Sequence, residues 1–290
     1  GIPCVERSVM LGEVNRFFSE SICVAGTHGK TTTTSMITQV LVKAGKDPAC
    51  VIGGKLPLIN GYGKDGKGDN IVIEACEFSN TFLELAPHIA VVLNIDNDHL
   101  DFFKTFENLQ NAFKKFAALA DGAIVINADD KNTTSVIKDM QVPITTFGID
   151  GGDYRRVNVR KDHPAFYSFD VEHNGEILCT INLSVPGIHN IYNAMAAFTA
   201  CTLAGLTPEE IKNGIETFGG AGRRFEIYGV VNGITIADDY AHHPSEIAAT
   251  LRAAKDMGFK RVWAVHQPFT YSRTKMLLKD FADALSIADK

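Results

Sequence analysis

The residues best suited to chemistry in this chain begin with Gly26-Thr27-His28-Gly29-Lys30-Thr31. They follow the apolar run Ser21–Ala25 and precede Met36, Ile37, Val40, Leu41 and Ala44 at helical spacing, so the pattern predicts a strand, a glycine turn and a helix. Glycines let backbone N–H groups in such a turn face an anion, and the helix N-terminus adds partial positive charge. Lys30 can reach the β- and γ-phosphates of a nucleotide, Thr31 can hold Mg²⁺, and Thr27, His28 and Thr32 complete the turn. The spacing is shorter than the common eight-residue phosphate loop, because position 24 is Val and the first glycine is Gly26. The competing reading is a glycine turn with a solvated lysine; the order strand, turn, Gly-Lys-Thr, helix favours phosphate. Replacing Lys30 by alanine is then expected to remove most MgATP affinity and leave the fold intact.

Further candidates stand at the ends of other strand-like runs. Glu74-Ala75-Cys76-Glu77 closes Ile71–Ala75, and Asp96-Asn97-Asp98-His99 closes Ile89–Ile95. In an open parallel sheet the carboxyl ends of strands line the ligand crevice, where acidic groups hold a hard cation. Glu77 or His99 taken singly reads equally as a solvated residue; together with the phosphate loop they point to a metal, and they are expected to end neighbouring strands. Asn190 and Asn193, three apart on one helix face, have the amides to read a base or ribose, or to cap a helix. Arg223 and Arg224 can bridge to phosphate or lie solvated. His242-His243, within Asp238–Pro244, suggests zinc, but adjacent histidines point apart and a polar turn explains them more simply. Arg273, in Gln267–Arg273, can pair with a carboxylate or phosphate.

Strand-like runs at Ile71–Ala75, Ile89–Ile95 and Ala123–Ile126 alternate with helical patterns such as Leu109–Ala120, which predicts an α/β chain built on a P-loop-type, mostly parallel central sheet with helices on both faces. Alternation on either side of Asn174-Gly175 adds a small antiparallel hairpin region. Thr207-Pro208-Glu209-Glu210 is a capping box with proline at the first helical position. Gly219–Gly222 marks a boundary, followed by a second hairpin about Asn232-Gly233, a helix from about Pro244 to Met257, a strand Arg261–His266 and a helix from about Ser272. The 290 residues carry 28 Lys+Arg against 34 Asp+Glu, a net charge of −6, with no overall footprint for nucleic acid. The six cysteines form no CxxC pair and read as core residues of a reduced, cytoplasmic protein. No run is long enough for membrane insertion as a helix. The chain opens on Gly1-Ile2-Pro3 without an initiator methionine, as a piece of a longer protein would.

The ordered set GTHGKTTTT (26–34), EACEFS (74–79), DNDHLD (96–101), PGIHNIYNAMAA (186–197), GRRFE (222–226), DDYAHHPSEI (238–247) and QPFTYSRT (267–274) resembles the Mur ligases. That resemblance implies residues 1–20 as the end of an N-terminal domain or its linker, 21–219 as a central ATP-binding domain, and 220–290 as an incomplete Rossmann-like C-terminal domain. It implies ATP-dependent amide ligation through an acyl phosphate, with ATP and Mg²⁺ required. The DHLD and DDYAHHP forms favour the member that joins L-alanine to UDP-N-acetylmuramate. By motif, Gly26 to Thr32 cradle phosphate, Lys30 binds its β/γ groups, Thr31 and Glu77 hold Mg²⁺, and His99 contributes to a second metal. Asn190 and Asn193 contact adenine, Arg223 or Arg224 phosphate, Asp239 ribose, and His242 and Arg273 the amino acid or the intermediate. Some relatives carry a modified lysine at the distance of Lys114, which reads here as a solvated helix face. The alternatives are a Mur-type ligase for another amino acid or peptide, or a nucleotide-binding NTPase module. The groups of DDYAHHP and QPFTYSRT beyond the joint favour a ligase.

Overall fold

A computed structural model describes residues 4–138 and 140–290; Gly1-Ile2-Pro3, the start of the expected linker, lie outside the described residues. After helix α1 (Arg7–Asn15), strands β1 (Glu20–Ala25), β2 (Ala49–Leu56), β3 (Gly61–Lys64), β4 (Asn70–Glu74), β5 (Ile89–Val92), β6 (Ala123–Asn127), β7 (Ile144–Gly148), β8 (Tyr154–His163), β9 (Phe166–His173) and β10 (Glu176–Asn182) form one sheet, in the order β10-β9-β8-β7-β6-β5-β1-β4-β2-β3. Pairing is parallel from β2 through β4, β1, β5, β6 and β7 to β8, and antiparallel at both margins. The expected hairpin region is therefore a continuation of the central sheet: Phe147 and Gly148 pair with Tyr154 and Arg155 and extend it. Strands β4 and β5 are not neighbours as expected; they flank β1, so the Gly26–Thr31 turn lies between the two acidic strand ends.

Burial alternates along β1 with the pleat. Ile22 and Val24 face one core with Met36, Ile37, Val40 and Leu41, whereas Cys23 and Ala25 face another with Phe82, Phe113 and Phe116. The first core is roofed by α2 (Lys30–Lys43), α6 (His189–Leu203) and α7 (Pro208–Glu216). The short helix α3 (Leu100–Phe103) leads into α4 (Phe106–Ala117), and α5 (Lys131–Val136) completes the second face. In α4, Leu109, Ala112, Phe113, Phe116 and Ala117 recur at helical spacing and are buried, so the helix lays one stripe on the sheet. Helix α7 starts as the sequence predicts, with the Thr207 hydroxyl accepting from Glu210 N and Pro208 in the first turn. Among the described residues no helix is long and apolar enough to cross a membrane.

Residues from Gly222 onward build a smaller body with its own core of Ile247, Leu251, Ala254, Val262, Phe281 and Ala284. It holds the hairpin β11 (Glu226–Val231) and β12 (Ile234–Asp238), then α8 (Pro244–Asp256), α9 (Tyr271–Met276) and α10 (Leu278–Leu285). Asn232 and Gly233 both take positive φ at the hairpin tip, as a two-residue turn requires. The expected strand Arg261–His266 is not formed. A strand needs a ladder, and this segment instead exchanges hydrogen bonds with the last residues: Asp289 N donates to Val262 O and Ala264 N to Lys290 O.

Candidate active site

The turn after β1 is held from two sides. Gly26 takes φ +145 and Gly29 φ +86, and a Cβ on Gly29 would stand 2.4 Å from Asn193 Oδ1, so both conformation and space demand glycine there. Asn94, just past β5, clamps the turn with its amide: its Oδ1 accepts from His28 N at 2.8 Å and its Nδ2 donates to His28 O at 3.0 Å. The Lys30 side chain folds back over the turn, donating to the carbonyls of Gly26 (2.6 Å) and Thr27 (3.1 Å), and meets Glu77 Oε2 at 2.9 Å. Lys30 is 15% and Glu77 2% exposed, so this is a buried ion pair. Burial works against the Lys30 charge, but Glu77, with Cys76 and Glu74 behind it, outweighs that and raises its pKa. Removal of Lys30 would strand a buried carboxylate, which bears against the expected independence of the fold from this residue.

Thr31, at the start of α2, donates its hydroxyl to Glu74 Oε1 at 3.0 Å and accepts from Arg224 Nη2 at 3.2 Å. Glu74 is further held by Gly53 N, 2.6 Å from Oε2. Glu74 belongs to the acidic strand end singled out with Glu77 but carries no role of its own in the sequence reading, and Asn94 has no signal there at all. Glu77 Oε2 is buried against the Lys30 ammonium, so a cation held here would share that carboxylate with Lys30. A hydroxyl and carboxylates are the hard oxygen donors Mg²⁺ takes; the His99 imidazole suits that ion less well. His99 caps α3 in the left-handed region at φ +54, 3.6 Å from Asp98 Oδ2, and burial lowers its pKa, which favours the neutral ring.

Groups from the smaller body complete two adjoining cavities on either side of the turn. One is shared by Lys30, His99, His242 and Arg273. There the Arg273 guanidinium grips Asp98 with Nε and Nη2 at 3.0 and 3.2 Å, both residues buried, while Nη1 is buried without a hydrogen-bond partner. His242 donates Nδ1–H to the Tyr240 carbonyl at 2.9 Å, so Nε2 is the ring nitrogen that bears the lone pair when the ring is neutral. The other cavity is lined by Thr32, Asn190, Asn193 and Asp239 beside Phe147 and Phe218. Asn193 Nδ2 donates to Asn190 Oδ1 at 2.9 Å, so the two amides act as a pair. Asp239 braces the joint by accepting from Phe225 N and Ala241 N, and burial raises its pKa. Arg224 lines both cavities; Arg223 reaches neither, pairing with Asp238 at 2.9 Å and lying over the Tyr240 ring at 4.7 Å. Lys114 stands on the exposed face of α4, in a separate groove with Phe102 and Met140.

His28 joins the bodies. Its Nδ1 lies 3.1 Å from Glu246 Oε1 and its Nε2 3.2 Å from Asp96 Oδ2. Burial disfavours its charge, but those two carboxylates overcome the penalty and lift its pKa from 6.5 to about 9. Glu246 also accepts from His242 N and so ties the start of α8 to the turn.

Comparison with known proteins follows the same division. The Mur ligase middle domain matches residues 24–201 and the Mur ligase, glutamate ligase domain matches residues 223–290. A UDP-N-acetylmuramate–L-alanine ligase of Caldanaerobacter subterraneus subsp. tengcongensis is 46% identical over all of this chain, which spans 64% of that relative's length. Among solved structures, the UDP-N-acetylmuramate–alanine ligase of Thermotoga maritima superposes with a TM-score of 0.82 at 30% identity, over 96% of this chain and 62% of that one. The MurF ligase of Thermotoga maritima, solved with ADP, shares the fold with a TM-score of 0.76 at 19% identity, over 99% of this chain and 70% of its own.

Proposed function

The chain belongs to the Mur ligase family, and from that premise we propose that it carries the ATP-binding and acyl-activating centre of a cytoplasmic enzyme joining L-alanine to the carboxylate of UDP-N-acetylmuramate. Residues 21–219 are the ATP-binding unit and residues 220–290 belong to the unit that presents the acceptor groups. The observation that carries this reading is the convergence of Lys30, Thr31, Glu77 and His99 with Arg224, His242 and Arg273 from the smaller body around one phosphate loop. A motor or switch NTPase has no use for such acceptor groups.

In this reading the adenine enters the cavity beside Asn190 and Asn193, the ribose meets Asp239, and the phosphates lie along Gly26–Thr32 against the N-terminus of α2. Lys30 and Arg224 neutralise charge as a substrate carboxylate oxygen attacks the γ-phosphorus and ADP departs. Thr31 and Glu77 would hold Mg²⁺, which supplies charge neutralisation on the phosphates. The amine nitrogen then attacks the acyl carbon, phosphate leaves, and His242 Nε2 takes the proton released from nitrogen. The spare Nη1 of Arg273 binds the amino-acid carboxylate. Phosphate release on mixing the protein with ATP, UDP-N-acetylmuramate and L-alanine tests this directly. Release that depends on all three supports the reading; absence of MgATP binding by calorimetry refutes it.

A further inference from the structure

We propose that His28, Asp96 and His243 form a transition-metal site of the kind that takes Zn²⁺, fastening the phosphate loop to the start of α8. One ligand atom from each lies within 4.8 Å of the other two. An ion with bonds of about 2.0–2.1 Å in tetrahedral geometry sets its donors about 3.3 Å apart; His28 Nε2 and Asp96 Oδ2 are already 3.2 Å apart. The other nitrogen of His28, Nδ1, faces Glu246 Oε1 at 3.1 Å, which is the carboxylate support that orients a metal-bound imidazole. His243 is 6% exposed and its Nδ1 meets the Ser245 hydroxyl at 2.7 Å, so the ring packs against the group that also reaches His28 Nε2 and Asp96 Oδ2. The Ser245 hydroxyl lies 3.0 Å from His28 Nε2 and 3.5 Å from Asp96 Oδ2, marking where the donors converge and offering a fourth oxygen. Two imidazoles and one carboxylate suit Zn²⁺ rather than Mg²⁺, so the site is distinct in chemistry from the oxygen donors of Thr31 and Glu77. The histidine that serves is His243 alone, since His242 turns to the Tyr240 carbonyl. Binding replaces the Nε2 proton of His28, which is released to solvent.

The test uses the whole chain, stripped with chelator and titrated with Co²⁺ and then Zn²⁺ in excess Mg²⁺, without nucleotide. The expected result is one ion per chain, with the visible absorption of tetrahedral Co²⁺ bleached by Zn²⁺. His243→Asn, which retains a helix-capping side chain, and Asp96→Asn should each weaken binding at least about tenfold, and Glu246→Gln, a positioning residue, about 10–100-fold. Folding of each variant is checked in chelator by circular dichroism. No bound ion, or equal affinity in His243→Asn and Asp96→Asn, overturns the proposal. Should either variant fail to fold, X-ray absorption of the Zn²⁺-loaded parent decides: two imidazoles and no sulfur support the site, and any other shell rejects it.

Discussion

Replacing Lys30 by alanine strikes nucleotide binding and folding together, because the lysine that folds over the Gly26–Thr31 turn is also half of a buried ion pair. Glu77, 2% exposed and 2.9 Å from Lys30 Nζ, would be left as an uncompensated buried charge. Breaking such a pair from one side costs about 3–5 kcal/mol, a large share of the roughly 5–15 kcal/mol that holds a domain together. Glu77→Gln removes the charge instead, so the double variant Lys30→Ala/Glu77→Gln should regain most of the loss, with a coupling of about 2 kcal/mol or more in the cycle. Urea unfolding of the four proteins by far-UV circular dichroism reads the effect as a midpoint change at constant slope. MgATP affinity, measured by calorimetry on the folded double variant, should stay lost. A Lys30→Ala protein within about 1 kcal/mol of its parent, or single effects that simply add, would refute the assignment of a buried, coupled pair.

In chelator, with no metal bound, docking of the smaller body should depend on pH through His28. Its folded pKa, about 9, lies above the 6.5 of the free ring, so its contribution is complete below pH 6.5 and is lost as pH rises through 9. Hydrogen-exchange protection factors at the start of α8 should fall across that window relative to those of α4, and a constant ratio would contradict the clamp. Arg273→Ala strands Asp98, 7% exposed, and should loosen α9 enough to raise its cleavage rate by limited proteolysis more than about tenfold; an unchanged rate refutes the docking role, and Asp98→Asn in the same chain should restore protection. Gly29→Ala meets both φ +86 and a contact of 2.4 Å with Asn193 Oδ1. It should lower stability by about 1–3 kcal/mol, and Asn193→Ala should relieve part of that loss in thermal melts; full additivity would reject the close approach as a cause.

Features whose physics is local were legible in the residues alone. The Gly-Lys-Thr turn, the Asn-Gly hairpins at 174–175 and 232–233 and the Thr207 capping box each depend on backbone conformation and hydrogen bonds among residues a few positions apart. The apolar runs of β1, β4, β5 and β6 announced a parallel sheet because both of its faces are covered. Arg261–His266 misled because apolar character allows a strand, but only a neighbouring ladder makes one. Arg223 and Arg224 are indistinguishable by type; Arg223 takes φ +58 in the chain reversal, and the two side chains part, one to Asp238 and the other to Thr31. Lys30 with Glu77, His28 with Glu246 and Asp98 with Arg273 are pairs between distant segments, and charge at a sequence position does not say which opposite charge will share its burial. The residues therefore determined which groups were available for phosphate, metal and acceptor chemistry. Only the tertiary structure decided their partners, because ion-pair strength depends on separation and desolvation, and both are set by how the strands stack and how the smaller body docks.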